Sequence, residues 1–176
     1  SEEFVRIFRG TELQSYLEKL RAGEVKTSVK PQRVDAIPMA YKGKVAKLLN
    51  KVDERGIVNE LVKEFDVEEA MDRSVDKLSG GELQRIAIIA CLAKDADMYY
   101  LDEPTSFLDV FQRLHMAKLI RAHCAGRSVI IVEHDLATLD FLADRVHIFY
   151  GVPGAYGIVS KPYGVRIGIN TFLDGD

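Results

Sequence analysis

The sequence predicts an α/β domain built on a parallel sheet, and three observations support this prediction. Short apolar runs at residues 98–101, 128–132 and 146–150 have the length and bounds of buried strands. Helical periodicity lies between them, at 110–122 and 136–143. Strands that alternate with helices in this way form a parallel sheet with right-handed crossovers. A chain of 176 residues with 47% hydrophobic residues is long enough for a core of its own.

The segments that precede these runs read as helices with one strand among them. A short strand is expected at 25–29, where apolar and polar residues alternate, and Pro31 makes the residues after it extended or turn-like. The remaining apolar periodicity predicts helices at 1–9, 11–21, 44–52, 57–65 and 79–94, with a further helical turn at 68–72. The segment 151–166 is dense in Gly, Pro and Tyr and is expected to be a loop-rich arm, whereas 167–172 is apolar enough to pack on a domain.

Composition excludes several classes of protein. A net charge of −3 provides no global attraction to nucleic acid or to an anionic membrane. No apolar run approaches the roughly 20 residues that a membrane-spanning helix needs. The two cysteines, Cys91 and Cys124, lie in predicted helices without a second Cys at metal spacing, so we expect small buried side chains in a reducing compartment.

Residues 78–85 form a glycine turn that opens a helix. Ser79 is a good N-cap with Glu82 three residues later, and Gly80 and Gly81 allow close approach of a ligand to the backbone. The free N–H groups and the positive end of the helix dipole at such a turn suit a phosphate. This turn is therefore a candidate phosphate-binding element.

Two acids, Asp102 and Glu103, follow the apolar run 98–101, and His134 follows the run 128–132. The carboxyl ends of parallel strands are where α/β sheets bind ligands, so these side chains are expected to meet at one edge. From the residues alone, the two acids could instead cap the following turn, and His134 could be a hydrogen-bonded core histidine.

The ordered set of motifs resembles that of the ATP-binding cassette (ABC) ATPases. Residues 78–85 resemble the signature motif, 98–106 the Walker B strand, Asp109 the D-loop aspartate and 132–135 the switch-histidine segment. Gln32, ahead of the signature, resembles the Q-loop glutamine. The expected fold is thus the parallel-sheet core of an ABC ATPase domain, a P-loop NTPase fold, with an α-helical subdomain.

The resemblance implies a role for each of these residues in ATP hydrolysis. Asp102 would hold Mg²⁺ through water, Glu103 would orient or deprotonate the attacking water, and His134 would contact the γ-phosphate. Gln32 would sense metal and water, and Asp109 would couple two sites across a pair of cassettes. Four residues of the glycine turn would act in trans on the ATP of the partner cassette: Ser79, Gly80, Gly81 and Glu82.

The Walker A loop of this family, Gly-x-x-x-x-Gly-Lys-Ser/Thr, does not occur in the sequence. Gly43 and Lys44 are followed by Val45, and Pro38 stands where the first Gly would be. In the family this loop and its strands would precede residue 1, so the chain is expected to be a segment of a longer protein. Alone it should neither bind nor hydrolyse ATP well, and its sheet should expose an edge and apolar faces that favour marginal stability or association.

Further motifs resemble the first cassette and hinge of the RNase L inhibitor-type (class E) ribosome-recycling ATPases, and they are spread over almost the whole chain, at residues 8–14, 30–35, 107–110, 150–157 and 166–175. The resemblance implies a cytoplasmic twin-cassette ATPase that splits ribosomes into subunits, with an upstream iron–sulfur domain. Its partners would be a second ABC domain of the same protein, the small ribosomal subunit with its rRNA, and a release or rescue factor, with no membrane. Residues 1–22 would end a helix–loop–helix insertion, 23–150 form the ABC ATPase domain with a helical subdomain at 36–95, and 151–176 form a hinge.

Two other interpretations remain open at this point. The chain could belong to the ATPase motor subunit of an ABC transporter, or it could be a non-catalytic or DNA-repair type of ABC lobe. Four basic residues near the start could contact RNA phosphates: Arg6, Arg9, Lys19 and Arg21. Because acidic residues interleave with them, they could instead form a solvated helix face.

Overall fold

The structure, a computed structural model, describes residues 18–175. The predicted helix 1–9, most of the predicted helix 11–21 and the motif at 8–14 lie outside this range. Residues 18–22 are helical and lead into the first strand. The named elements then follow in this order: β1 (Thr27–Lys30), α1 (Ile37–Ala40), α2 (Val45–Val52), α3 (Val58–Glu64), α4 (Gly80–Leu92), β2 (Met98–Asp102), α5 (Val110–His123), β3 (Ser128–Val132), α6 (Leu136–Leu142), β4 (Arg145–Val146), β5 (Phe149–Val152), β6 (Tyr156–Val159), β7 (Tyr163–Gly164) and α7 (Val165–Asp174).

Strands β1, β2 and β3 form a parallel sheet in that order, as the sequence predicts. In this register Val29 lies opposite Tyr100, which in turn lies opposite Ile130. Because all three strands run parallel to one another, their carboxyl ends meet at one edge. The loops that leave this edge begin at residues 31, 103 and 133.

One face of the sheet is covered by α4. Ser28 and Lys30 of β1 are buried, as are Tyr99 and Leu101 beside them on β2. The Ser28 hydroxyl donates a hydrogen bond of 2.8 Å to the carbonyl oxygen of Cys91 on α4. This side of the sheet is continuous with the main core.

The opposite face is exposed among the described residues. Val29 is 55% exposed, Ile130 49% and Val132 36%. The reason is topological: two successive right-handed crossovers in one direction along the sheet place both α4 and α5 on the same side. Parallel sheets are usually covered on both faces, so this exposed apolar surface agrees with the expectation of an uncovered sheet.

The main core lies between α4 and the helices α2 and α3. The largest fully buried apolar side chains here come from these three helices and from Phe65, which directly follows α3. They are Leu49, Leu61, Phe65, Ile86, Ile88, Ile89 and Leu92. His123 at the end of α5 is joined to this layer because its Nε2 lies 2.5 Å from Oε2 of Glu64. Cys91 and Cys124 are buried free thiols, as expected.

The predicted third strand at 146–150 is wrong. The run divides into β4, which pairs antiparallel with β7, and β5, which pairs antiparallel with β6. The turn at residues 153–155, with Gly154 at a φ of 77°, returns the chain directly onto β5. A local hairpin of this kind forms with little loop-closure entropy, so the segment pairs with itself instead of joining the parallel sheet. The third strand of that sheet is β1.

Two shorter differences concern the ends of elements. The predicted strand 25–29 begins and ends later, as β1, and the predicted helical turn at 68–72 is a 3₁₀ turn, Glu68–Ala70. The other predicted helices and strands agree with the structure to within two residues.

The carboxyl-terminal segment is more regular than the expected loop-rich arm. The hairpin β5–β6 exposes apolar and aromatic side chains, with Phe149 75% and Tyr156 57% exposed. Helix α7 packs on β4 and β7 through Gly168, where an added Cβ would lie 3.1 Å from the Cβ of Val146. The expected packing of 167–172 is therefore present at Gly168, whereas Ile167 is 63% and Phe172 57% exposed. No helix in residues 18–175 combines the length and apolar character needed to cross a membrane.

Candidate functional site

Three of the residues singled out in the sequence meet at the carboxyl edge of the sheet. Gln32 lies two residues beyond β1, Glu103 directly after β2, and His134 two residues beyond β3. Each is placed by the strand that precedes it, and the parallel register places the three strand ends side by side. Residues far apart in the sequence are thereby assembled around the carboxylate of Glu103.

The Glu103 carboxylate is held by three side chains. Nε2 of Gln32 donates to Oε1 at 2.7 Å, Nε2 of His134 lies 3.0 Å from the same oxygen, and the Ser106 hydroxyl donates to Oε2 at 3.0 Å. The Ser106 bond, and then the bonds from Gln32 and His134, lower the pKa of Glu103 below its usual value. The group is therefore a carboxylate near neutral pH, with the electron pairs needed to accept a proton or orient a water.

The backbone of Glu103 adopts a left-handed conformation, with φ of 45°. Such a conformation costs a non-glycine residue on the order of 1–3 kcal/mol and persists only where the surroundings impose it. Its N–H donates to the carbonyl oxygen of Val132 at 2.8 Å. Its carbonyl oxygen accepts from Nζ of Lys30 at 3.0 Å and from Nε2 of Gln84 at 2.6 Å.

Lys30 is fully buried and also donates to the carbonyl oxygen of Asp102, at 2.6 Å. Burial disfavours the charged ammonium and lowers the pKa of Lys30 to about 8, against the opposing attraction of Asp102, Glu103 and Glu133. No role was predicted for Lys30, because the predicted strand 25–29 ended before it. In the structure Lys30 is the last residue of β1 and faces inward on the same side as Ser28.

Gln84 is a second residue of the site for which the sequence predicted no role. It is fully buried on the inner side of α4, and its Oε1 has no hydrogen-bond partner within residues 18–175. An unsatisfied buried acceptor costs about 1–3 kcal/mol. The bond from its Nε2 to Glu103 is thus the polar interaction that offsets the burial of this amide.

Glu133 is a third residue without a predicted role. It accepts hydrogen bonds from the backbone N–H groups of Thr105 at 3.4 Å and His134 at 3.2 Å. It thereby joins the loop after β2 to the loop after β3.

The carboxylate of Asp102 accepts no hydrogen bond from any described residue. Gln32 uses its amide nitrogen for Glu103, which leaves its amide oxygen able to face a cation or a water bound to one. Mg²⁺ in nucleotide sites takes few protein oxygens and fills its shell with phosphates and waters. Asp102 and Gln32 together fit such an ion.

The signature residues lie in a different place. Ser79 and Glu82 form a capping box, with the Ser79 N–H donating to Oε2 of Glu82 at 2.8 Å and the Glu82 N–H to the Ser79 hydroxyl at 3.3 Å. The backbone bond from Ser79 lowers the pKa of Glu82, and Arg73 pairs with it at 2.6 Å. The cap confirms the expected start of the helix.

Gly80 and Gly81 face the loop after β2. An added Cβ on Gly80 would lie 3.7 Å from the ring of Phe107, and one on Gly81 would lie 3.5 Å from Leu108. Asp109 follows this loop and caps α5, accepting from the N–H of Gln112 at 2.9 Å. Within the described range, no hydrogen bond joins the turn to the carboxylate of Glu103, so the structure forms two clusters.

The fold and the two clusters define an ATP-binding cassette protein. The chain belongs to the ABC transporter family, whose model matches residues 5–106.

Within this family, the chain is similar to proteins described as translation and ribosome-recycling factors. It is 48% identical to translation initiation factor RLI1 of Saccharomyces cerevisiae over 180 residues, 99% of this chain and 30% of that protein. The archaeal ribosome recycling factor aABCE1, solved with the ribosomal stalk protein aP1, is 54% identical with a TM-score of 0.90 over 98% of this chain and 34% of that one. A ribosome-bound model of archaeal Pelota and ABCE1 is 54% identical in sequence, with a TM-score of 0.92. The match covers 99% of this chain and 30% of that one. The chain spans 29% of the length of a curated relative from Methanocaldococcus jannaschii and 30% of RLI1, each of which it matches over 99% of its own length.

Proposed function

We propose that this chain is part of a cytoplasmic twin-cassette ATPase that uses ATP binding and hydrolysis to split ribosomes into subunits. The proposal is supported by relatives described as a ribosome recycling factor and a translation initiation factor, which the chain matches over nearly its whole length. The observation that supports the chemistry is that the side chains of Gln32 and His134 converge on the carboxylate of Glu103.

This convergence suits hydrolysis by in-line attack of water on the γ-phosphate, in which catalysis is positioning and electrostatic stabilisation. Glu103 orients the water and accepts its proton, because it is ionised near neutral pH and directly follows β2 at the carboxyl edge of the sheet. His134, whose side chain is 81% exposed, has room to contact the γ-phosphate. Gln32, on the loop after β1, contacts both the water and the metal.

Asp102 and Gln32 would hold Mg²⁺, which when bound neutralises charge on the phosphate oxygens. Asp102 is suited to this because its carboxylate has no donor among the described residues. The phosphates need further hydrogen-bond donors, which a Walker A loop outside residues 1–176 would supply.

The glycine turn serves the second site of the pair. Ser79, Gly80 and Gly81 stand apart from the Glu103 cluster, which fits a role in trans on the ATP of a second ABC domain of the same protein. Asp109, on the loop that contacts both glycines, is placed to couple the two sites.

The domain layout extends the proposal to the rest of the protein. Residues 23–150 would form the cassette, with the helical subdomain at 36–95, and 151–176 would form the hinge to the second cassette. Residues 1–22 would end the insertion that contacts rRNA on the small subunit. A release or rescue factor and an upstream iron–sulfur domain complete the assembly.

Calorimetry with Mg-ATP tests the cassette directly. We expect a longer chain that restores the upstream residues to bind ATP, and the 176-residue chain to bind weakly or not at all. Micromolar binding by the short chain would overturn this account of the site.

Sucrose-gradient analysis of purified ribosomes tests the wider function. The longer protein should convert them to subunits only with ATP and a release or rescue factor. If it hydrolyses ATP yet leaves ribosomes intact under all these conditions, the ribosome proposal is wrong and a transport or repair function takes its place.

A further inference from the structure

Lys30 is a buried cation that the proposed hydrolysis does not use. It is the last residue of β1 and is 0% exposed. Its ammonium group donates to two carbonyl oxygens, those of Asp102 at 2.6 Å and Glu103 at 3.0 Å. Both acceptors are backbone atoms, so Lys30 acts on the path of the chain at this point whatever the side chains do.

The peptide groups on either side of Glu103 are fixed by these contacts and two others. The N–H donates to Val132, and the carbonyl oxygen has two donors, Lys30 and Nε2 of Gln84 at 2.6 Å. A residue with φ of 45° would otherwise relax toward an ordinary conformation. That relaxation would rotate the Cα–Cβ bond and carry the carboxylate away from Gln32 and His134.

We propose that Lys30 is a positioning residue for hydrolysis: with Gln84 it holds Glu103 in the left-handed conformation that directs its carboxylate to Gln32 and His134. This inference rests on the proposed ATPase function. The segment 30–32 holds Glu103 at both ends, its backbone through Lys30 and its carboxylate through Gln32. A displacement of this segment therefore moves both together, which links the loop after β1 to the catalytic carboxylate.

The test uses the full-length twin-cassette protein, with the equivalent glutamate of the second cassette replaced so that one site turns over. Lys30→Met removes the ammonium donors while keeping the length of the side chain. Lys26→Met is the matched control, because Lys26 is exposed and lies just ahead of the same strand. ATP affinity and the single-turnover rate of hydrolysis are measured for each protein.

We expect Lys30→Met to slow hydrolysis about 10- to 100-fold, since small displacements of a catalytic group cost this much. ATP affinity should stay within about twofold, because both hydrogen bonds of Lys30 go to backbone carbonyl oxygens and none goes to a side chain proposed to contact ATP or Mg²⁺. Lys30→Arg, which keeps the charge and the donors, should recover part of the rate. Lys26→Met should behave as wild type.

A second measurement separates positioning from a general effect on stability. If Lys30 acts through Glu103, Lys30→Met adds no further loss of rate to Glu103→Gln. Equal losses in both backgrounds, or an unchanged rate in Lys30→Met, would overturn the proposal. Should Lys30→Met fail to fold, Gln84→Met removes the other donor to the same carbonyl and is read in the same way. A wild-type protein without ATPase activity would instead show that the proposed function is wrong.

Discussion

The amide nitrogen of Gln32 lies 2.7 Å from Oε1 of Glu103, although 71 residues separate them in the sequence. The parallel pairing of β1 with β2 makes this contact, because it places the two strand ends beside each other. His134 reaches the same oxygen from β3. This relationship makes Glu103 the centre of the candidate site.

Glu103→Gln should abolish hydrolysis and leave ATP binding intact. The amide keeps the size of the side chain but cannot accept a proton from water, so we expect a loss of about 100-fold or more in the full-length protein. Single-turnover hydrolysis and calorimetry measure the two properties. Glu60→Gln, at an exposed glutamate on α3, is the matched control and should have no effect. A Glu103→Gln protein with more than about a tenth of the wild-type rate would contradict the assigned role.

Asp109 should stabilise the fold as the N-cap of α5. Its side chain caps α5, so Asp109→Ala should lower stability by about 1 kcal/mol, or roughly 2–4 °C in Tm, in the 176-residue chain. Asp109→Asn retains a good cap and should unfold within about 1 °C of wild type. Thermal unfolding followed by circular dichroism gives both values. If Asn destabilises as much as Ala, the negative charge matters to the fold itself.

The two cysteines should resist thiol reagents in the folded chain. Burial raises the pKa of the Cys124 thiol to about 12 and also raises that of Cys91. Because only the thiolate reacts, labelling of Cys124 at pH 8 should be about 1,000-fold slower than in the unfolded chain, and labelling of Cys91 should also be slower. The native rate at Cys124 should rise about tenfold with each pH unit until the pH approaches the raised pKa.

Mass spectrometry after timed alkylation measures this rate. The urea-unfolded chain is the control and should react at the ordinary rate. Fast labelling of Cys124 under native conditions would show that the end of α5 opens readily.

The exposed apolar face of the sheet should make the isolated chain associate. Ile130, 49% exposed, is the middle residue of β3 on this face, so Ile130→Lys should weaken association by placing charges against one another. Light scattering after size-exclusion chromatography, over a range of concentrations, measures the effect. Lys118→Met, on α5 away from this face, is a control for the change in charge. A wild-type chain that stays monomeric at all concentrations would contradict the expectation.

The sequence predicted the elements around the site more reliably than those at its carboxyl end. Strands β2 and β3 and helix α4 have strong local signals: apolar runs of strand length, and a capping box ahead of an apolar helix. The run at 146–150 had the same apolar character but joined no parallel strand. Its partner is decided by the following turn, which periodicity does not encode.

The site divides in a similar way. Glu103 and His134 were found because they follow apolar runs of strand length, and Gln32 because it resembles the Q-loop glutamine. Lys30 and Gln84 were missed because they act on a backbone carbonyl. A contact of this kind requires the conformation of Glu103 to be known first. Motifs of residue types contain no such information.

The sequence by itself determined the family, the parallel order of strand and helix, and the side chains that bear charge, since these depend on local pattern and residue type. The tertiary structure alone decided which strands pair, that one face of the sheet is exposed, and that a buried lysine and glutamine fix the backbone of Glu103. These features depend on contacts between segments about 20 to 70 residues apart. Such contacts form only when the strands of the sheet pair with one another, and no single stretch of the sequence specifies that pairing.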